Sequence, residues 1–297
     1  MSSSTLAHLS LAIDRLTPLD LAERSWDNVG LMIEAPESRD DLTAPVCASA
    51  LSSPHTTAIL TYHPPIFSGL KSLTLRTPLQ ASLLRCIAQG VSVFTIHTAA
   101  DNAVGGVNDY MGSGLLAAAG AETDQDGMIR PGQGKGIRAL SEAKDAPEGH
   151  EGAGGGRVVD LVEGAGRTLA RDEVVQAVKA RLGLKHLQAA YSPTGASQIR
   201  TIAICAGSGS GVLKGVKADL YLTGEMGHWS VLLRPHDILA ANAAGIHVLC
   251  CNHSATERPW LSYLAPRLEK AMNELAGEGV EYEVIVSEED REPLVVV

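Results

Sequence analysis

Ile246-His247-Val248-Leu249-Cys250-Cys251-Asn252-His253-Ser254-Ala255-Thr256-Glu257-Arg258-Pro259-Trp260-Leu261 carries the plan of the whole chain. Ile246 to Cys251 is a short apolar run, the pattern of a buried strand. Thr256 to Leu275 reads as a long helix. A strand that hands over to a helix through a polar turn is the repeating unit of an α/β protein. The same plan recurs upstream. Ala58 to Tyr62 reads as a buried strand ending at His63, and Thr77 to Gln89 as a helix closed by Gly90. Val91 to Ile96 reads as a second strand ending at His97, and Gly105 to Ala119 as a helix stopped by Gly120. The expected fold class is therefore α/β.

Further elements fill the pattern. Residues 5 to 24 read as helix, with Leu6, Leu9, Ile13 and Leu16 at helical spacing and a break at Thr17-Pro18. Ser25 to Leu31 reads as a loop entering a strand. Arg157 to Glu163 reads as a strand, Arg171 to Leu182 as a helix, Thr201 to Cys205 and Asp219 to Thr223 as strands, Gly227 to Leu233 as a helix, and Tyr282 to Val286 as a last strand. Residues 121 to 156 change character: Gly132 to Gly136 and Gly152 to Gly156 carry little apolar content. That stretch reads as an exposed loop or a small hairpin, partly disordered. The expected organisation is an N-terminal lobe over 1–125, a Gly-rich exposed extension over 126–156 and a C-terminal lobe over 157–297.

With 297 residues, 45% hydrophobic and 20% charged, the chain has the composition of a globular protein with a sizeable core. Its formal net charge of -10 argues against a non-specific grip on nucleic acid. No apolar run reaches the ~18 residues of a membrane helix. The start lacks the charged-then-apolar plan of a secretory signal. Five cysteines without a CxxC pair fit reduced thiols. A cytoplasmic setting is expected, with a mitochondrial or nuclear fraction left open.

His253 and Glu257 stand four residues apart. On a helix that spacing places both side chains on one face, where an imidazole and a carboxylate make a ready pair of metal ligands. The blander alternative is a helix start with Glu257 near the positive end of the dipole and Asn252 or Ser254 as cap. His63 precedes Pro64-Pro65, which hold the backbone stiffly; it is either a ligand on a rigid turn or incidental to that turn. Asp101 is either a ligand or a helix cap, and His97 either a ligand or a residue that orients one. All lie just beyond predicted strands, where α/β sheets bind their ligands. His63, His97, Asp101, His253 and Glu257 suffice for one or two metal ions.

Thr223, Glu225 and His228 follow another strand and are candidates to line the same pocket. A solvent-facing turn explains them about as well. Gly207 to Gly211 resembles a phosphate cradle, but without the P-loop lysine. Close backbone packing accounts for these glycines equally. His8, His55, His150, His186, His236 and His247 have no partner pattern and read as surface or packing residues. No GxSxG elbow or zinc-finger spacing occurs. Cys250 and Cys251 are poor ligand candidates, because strand alternation sends neighbours to opposite faces.

Five blocks together resemble the Nif-three-like (Ngg-interacting factor three) family, whose bacterial members carry the name GTP cyclohydrolase I type 2 homologues. They are Trp26 to Leu31, Tyr62 to Phe67, His97 to Asp101, Asp219 to Glu225 and His253 to Glu257, in family order across nearly the whole chain. The resemblance implies two similar α/β lobes, a dinuclear metal site between them and a ring-shaped homohexamer. It implies His63, Asp101, His253 and Glu257 as metal ligands, with Asp101 and Glu257 as bridges. Two departures stand out. Tyr62 occupies the place of a histidine found in many bacterial relatives. Val46 to Leu60 is short for the strand, helix and strand that the family has there.

The expected function is a metal-dependent hydrolase acting on a nucleotide or other phosphorylated small molecule, GTP cyclohydrolase type 2-like by resemblance. Two divalent ions would serve it, with zinc, iron, manganese and nickel undistinguished. Glu225 and His228 are the candidate proton carriers. The alternative is a non-catalytic metal-binding protein that partners a transcription regulator. Direct DNA binding is disfavoured by the acidic charge.

Overall fold

The computed structural model describes residues 4–34, 45–53, 55–129, 136–227 and 237–289. The fold is mixed α/β, as expected, and divides into two compact units. One comprises Met1–Ala100 and Leu264–Pro293, the other Asp101–Tyr263 and Leu294–Val297.

In the first unit, α1 (Ser4–Leu16) buries Leu6, Leu9, Ala12 and Ile13 along one face. Pro18 denies the chain a continuing helix, and a short 3-10 turn, Leu19–Leu21, follows. Then come β1 (Gly30–Ile33), α2 (Pro45–Leu51), β2 (Ala58–Thr61), α3 (Pro78–Ala88), β3 (Ser92–Thr95) and α4 (His97–Asn102). Thr77 caps α3 by accepting from the Gln80 amide at 3.3 Å, and Pro78 fits the first turn. The short Val46 to Leu60 stretch thus still holds a helix and most of a strand.

The sheet runs β1-β3-β2, with β2 parallel to β3. Ala58 pairs with Ser92 and Thr61 with Thr95, so both strands end at the same edge. His63 and His97 leave the sheet there. Ile33, Leu51, Leu83, Cys86, Val91 and Val93 form the core between sheet and helices.

Tyr282 to Val286 is not the strand expected. Among the described residues, no neighbouring strand pairs with it; side chains bond its backbone instead. Asn273 donates to the Tyr282 carbonyl at 2.9 Å and accepts from its amide at 2.7 Å, while Glu269 accepts from the Val284 amide at 2.9 Å.

The second unit holds α5 (Val107–Ala118), β4 (Ile137–Glu142), β5 (Gly154–Asp160), α6 (Leu161–Ala165), β6 (Leu169–Ala170), α7 (Arg171–Leu182), β7 (Gln188–Ala190), β8 (Gln198–Ile199), β9 (Thr201–Ser208), α8 (Ser210–Leu213), β10 (Leu220–Glu225), α9 (Asp237–Ala243), β11 (His247–Cys250) and α10 (His253–Leu275). Its main sheet runs β4-β5-β9-β10-β11-β7, and β6 pairs with β8 alone. The central strands β9, β10 and β11 are parallel, with Thr223 paired to both Cys205 and Cys250. Gly207, Glu225 and His253 therefore emerge at one edge.

Two expectations need correction. The Gly-rich stretch ends in a hairpin, but not an exposed appendage: Gly154 to Gly156 open β5, which pairs with both β4 and β9. Glycines are needed there, because a β-carbon on Gly156 would meet the Ile204 carbonyl at 2.9 Å. The strand expected to run to Glu163 stops at Asp160. The Asp160 carboxylate accepts from the amides of Val162 and Glu163, both at 3.0 Å, and so starts a helix. The helix expected over Gly227 to Leu233 lies outside the described residues beyond Gly227, which is not helical.

Arg157 is wholly buried on β5. It pairs with Asp109 and donates to the carbonyls of Gly154 (2.6 Å), Gly156 (2.8 Å), Asn102 (3.2 Å) and Ala103 (3.1 Å). A buried guanidinium is tolerable because its donors are matched in this way. Within the second unit, the arrangement ties the Asn102–Ala103 backbone to β5.

Candidate metal centre

In the first unit, His63 and His97 lie side by side, their ring centroids 5.1 Å apart. Tyr62 sits 5.1 Å from the His63 ring and 6.1 Å from the His97 ring. His63 is exposed, whereas His97 is nearly buried. Asp27 holds His97: the ring donates through Nδ1 to Oδ1 at 2.6 Å. The same carboxylate accepts from the Thr98 amide at 3.2 Å, the Thr98 hydroxyl and the Asn28 amide at 2.8 Å. Burial pushes the Asp27 carboxyl up, but hydrogen bonds from His97 and Thr98 outweigh it and hold the group below its ordinary range. His97 has φ of 30°, a backbone state that bulky residues adopt only when their surroundings compel it. The Asp27 clamp supplies that compulsion. Asp27 thus fixes the orientation of the His97 ring.

In the second unit, His253 opens α10 after Asn252, whose φ of 69° suits asparagine better than most residues. Two carboxylates bracket the His253 ring. Nδ1 lies 2.8 Å from Glu225 Oε1, and Nε2 lies 3.1 Å from Glu257 Oε1. The hydrogen bond and charge of Glu257, helped by Glu225, raise the His253 pKa to about 9 against the effect of burial. Glu257 is buried and Glu225 exposed. The helical spacing thus does bring His253 and Glu257 together.

The glycine loop after β9 serves this pair. Gly207 has φ of +59°, and a β-carbon there would stand 2.6 Å from Glu257 Oε1 and 2.8 Å from His253 Nε2. Its amide donates to Thr256 Oγ at 2.9 Å, and the Thr256 hydroxyl donates to the His253 carbonyl at 2.7 Å. Close packing accounts for this glycine without invoking a phosphate. Thr223 is buried and donates to the Gly207 carbonyl at 3.2 Å.

Asp101 is half-buried. Asn108 fixes its backbone by donating to its carbonyl at 3.0 Å, while accepting from the Ala206 amide at 2.9 Å. Burial first, then the charges of Asp101 and Glu257, push the Cys205 thiol up to about 12. Both carboxylates thus act on one thiol. Burial likewise raises Cys250 and Cys251. His228 lies outside the described residues.

Asp27 and Asn108 fix their neighbours by hydrogen bonds that the sequence did not reveal, whereas Gly207 belongs to the glycine run already singled out. Asp27 lay inside the Trp26 to Leu31 block and was legible as a polar residue in a recurring motif. Nothing local marked Asn108. His150 and His247 are packing residues, as expected: His150 Nδ1 accepts from the Val104 amide at 3.2 Å, and His247 bonds Ser192 N at 3.1 Å and Ala196 O at 2.8 Å.

Imidazole and carboxylate donors of this kind suit a divalent transition metal. The close approach of Gly207 keeps the space around the His253 and Glu257 donor atoms free of a side chain, which fits a small cation. Among the described residues, no helix is long and apolar enough to cross a membrane.

The family model described as Duf34/NIF3 (NGG1p interacting factor 3) matches residues 4–293. The protein NIF3 homolog of Schizosaccharomyces pombe is 39% identical over 280 residues, covering 91% of this chain and 90% of that protein. NGG1-interacting factor 3 of Saccharomyces cerevisiae is 32% identical over 320 residues, covering 100% of this chain and 98% of that protein. Among solved structures, the Staphylococcus aureus hypothetical protein SA1388 superposes with a TM-score of 0.70 at 21% identity, covering 98% of this chain and 99% of that one.

Proposed function

The chain belongs to the Duf34/NIF3 family, and we propose that it is a metal-dependent hydrolase acting on a nucleotide or other phosphorylated small molecule. In this reading His63, Asp101, His253 and Glu257 hold two divalent ions between two similar lobes. The observation that carries it is the His253 ring bracketed by Glu225 and Glu257 over a glycine that leaves no side chain in their way. His253 and Glu257 present an imidazole and a carboxylate 3.1 Å apart on one helix turn, donors of the kind that hold a metal ion, which supports the reading further.

A bound ion pair would supply Lewis acidity toward a phosphoryl or carbonyl oxygen. The protein's own residues do the rest. Glu225 fixes the His253 tautomer by accepting a hydrogen bond from Nδ1–H, which leaves the Nε2 lone pair available to a metal ion. Its exposed carboxylate also suits it to carry a proton to solvent. His228 is the second proposed proton carrier. Asp27 and His97 hold the turn beside His63.

The test is metal analysis of the purified protein, followed by assay of the loaded protein against nucleotides and phosphoesters. Unaltered protein should retain metal, and His253→Ala, Glu257→Gln and Asp101→Ala should each lose most of it. Turnover that disappears with these substitutions and persists in His8→Ala supports the hydrolase. Full metal content without turnover on the panel leaves metal binding and rejects the hydrolase.

A second reading rests on the name of the Saccharomyces cerevisiae relative, which records a protein partner. We propose it as the alternative: a metal-binding protein, cytoplasmic or nuclear, that binds a transcription regulator. A ring-shaped homohexamer is proposed for either reading, and light scattering measures it.

A further inference from the structure

We propose that Cys47 and Cys86 form a peroxide-sensitive dithiol, in which Cys47 is oxidised first and Cys86 closes a disulfide. The two sulfurs lie 3.6 Å apart, Cys47 on α2 and Cys86 on α3. Closing by roughly 1.5 Å gives the ~2.05 Å of a disulfide, a distance that side-chain rotation on two facing helices can supply. Cys47 is half-buried, so a small oxidant reaches it from solvent. Cys86 is buried behind it in the core with Leu83 and Val91. One thiol faces outward and a second waits within reach, the arrangement that separates a resolving pair from a lone buried cysteine.

The electrostatics agree with this order. The hydrogen bond from Cys86 lowers the Cys47 pKa to about 7, helped by Arg85 and opposed by burial. The same hydrogen bond, then burial and the charge of Cys47, push Cys86 up. Cys47 is thus the more readily ionised of the two thiols. By contrast, burial first raises both Cys205 and Cys251 to about 12.

The chemistry balances with hydrogen peroxide as the oxidant. The Cys47 thiolate attacks one peroxide oxygen, the O–O bond breaks, and the departing hydroxide takes a proton to become water. This leaves Cys47 as a sulfenic acid. The Cys86 sulfur then attacks the Cys47 sulfur. The S–O bond breaks as the S–S bond forms, and the hydroxide leaves with the Cys86 proton as a second water. Two thiols lose two electrons, which reduce one peroxide. The product links the helix that leads into β2 and His63 to the helix that leads into β3 and His97. It lies outside the proposed metal ligands and stands independently of the proposed activity.

The full chain, treated with hydrogen peroxide at low molar excess and then denatured, should show its five thiols fall to three. A tryptic map without reductant should link Cys47 to Cys86, and dithiothreitol should release the link. In Cys86→Ser, Cys47 should accumulate as a sulfenic acid that a cyclic 1,3-dione labels. Peroxide that leaves Cys47 and Cys86 unlinked, or that oxidises Cys205, Cys250 or Cys251 at the same rate, overturns the proposal. The map on the unaltered chain decides the matter even where the variant fails to fold.

Discussion

Gly207 runs so close to Glu257 that a β-carbon on it would stand 2.6 Å from Oε1. The same atom would stand 2.8 Å from His253 Nε2. The backbone there is also left-handed, at φ +59°. Gly207→Ala should therefore cost about 1–2 kcal/mol from the backbone alone, with more from displaced ligands. A thermal melt in the presence of chelator reads the backbone part. Metal titration should show weaker binding than in the unaltered protein; equal affinity would mean that the glycine serves packing only.

Protonation of His253 should set the pH dependence of the metal-free protein. Its pKa is raised to about 9 from an ordinary 6.5, chiefly by Glu257. A raised folded-state value means that the charged pairing stabilises fully below about pH 6.5 and fades as pH climbs through about 9. A cation at Nε2 must displace that proton, so metal affinity should increase over the same window. Proton NMR of the His253 ring measures the value directly. Glu257→Gln should bring it down, and an unmoved titration would refute the pairing.

Glu225 should matter to affinity without binding metal itself. Removing a carboxylate that orients a ligating imidazole lowers metal affinity by about 10–100-fold in comparable sites. Glu225→Gln should show a loss of that order while keeping its melting curve near that of the parent. A loss of metal as complete as in His253→Ala would instead make Glu225 a ligand.

Asp27 gives a separate acid limit. Its carboxyl titrates below the ordinary 3.8, held by His97 and Thr98 against burial. The stabilisation is present above about pH 3.8 and is lost as pH falls through the folded-state value. Asp27→Asn should cost about 1–3 kcal/mol near neutrality. Urea melts of both proteins should converge as the pH drops. A gap that stays constant with pH would mean that the carboxylate charge plays no part.

Arg157 should be among the costliest side chains to remove. Arg157→Met removes the guanidinium from the buried Asp109 carboxylate, which still accepts from the Gly105 amide at 2.7 Å, for a loss of about 3–5 kcal/mol. Arg157→Met with Asp109→Leu should recover part of it, because the stranded charge is gone. Denaturant unfolding of the single and double variants measures the difference, and an equal loss in both would point to packing rather than charge.

Local chemistry was legible wherever one segment decided its own conformation. The strands that lead to His63, His97 and His253, the break at Pro18 and the helix Arg171–Leu182 follow from apolar spacing and from proline geometry. The pairing of His253 with Glu257 was legible too, because both sit on one helix turn. Tyr282 to Val286 misled because an alternating apolar pattern does not reveal whether a partner strand exists. Gly154 to Gly156 misled because glycine marks flexible loops and tight β-packing alike.

From its amino-acid order alone, the protein was bound to be α/β, acidic and equipped with histidines and carboxylates just past its strands. Those are properties of neighbours in the chain, settled by periodicity and backbone sterics. Tertiary structure alone could join Asp27 to His97, Asn108 to Ala206, Glu225 to His253 and Cys47 to Cys86. Each pair is distant in sequence, and its meeting depends on which strands lie parallel and which helices face one another.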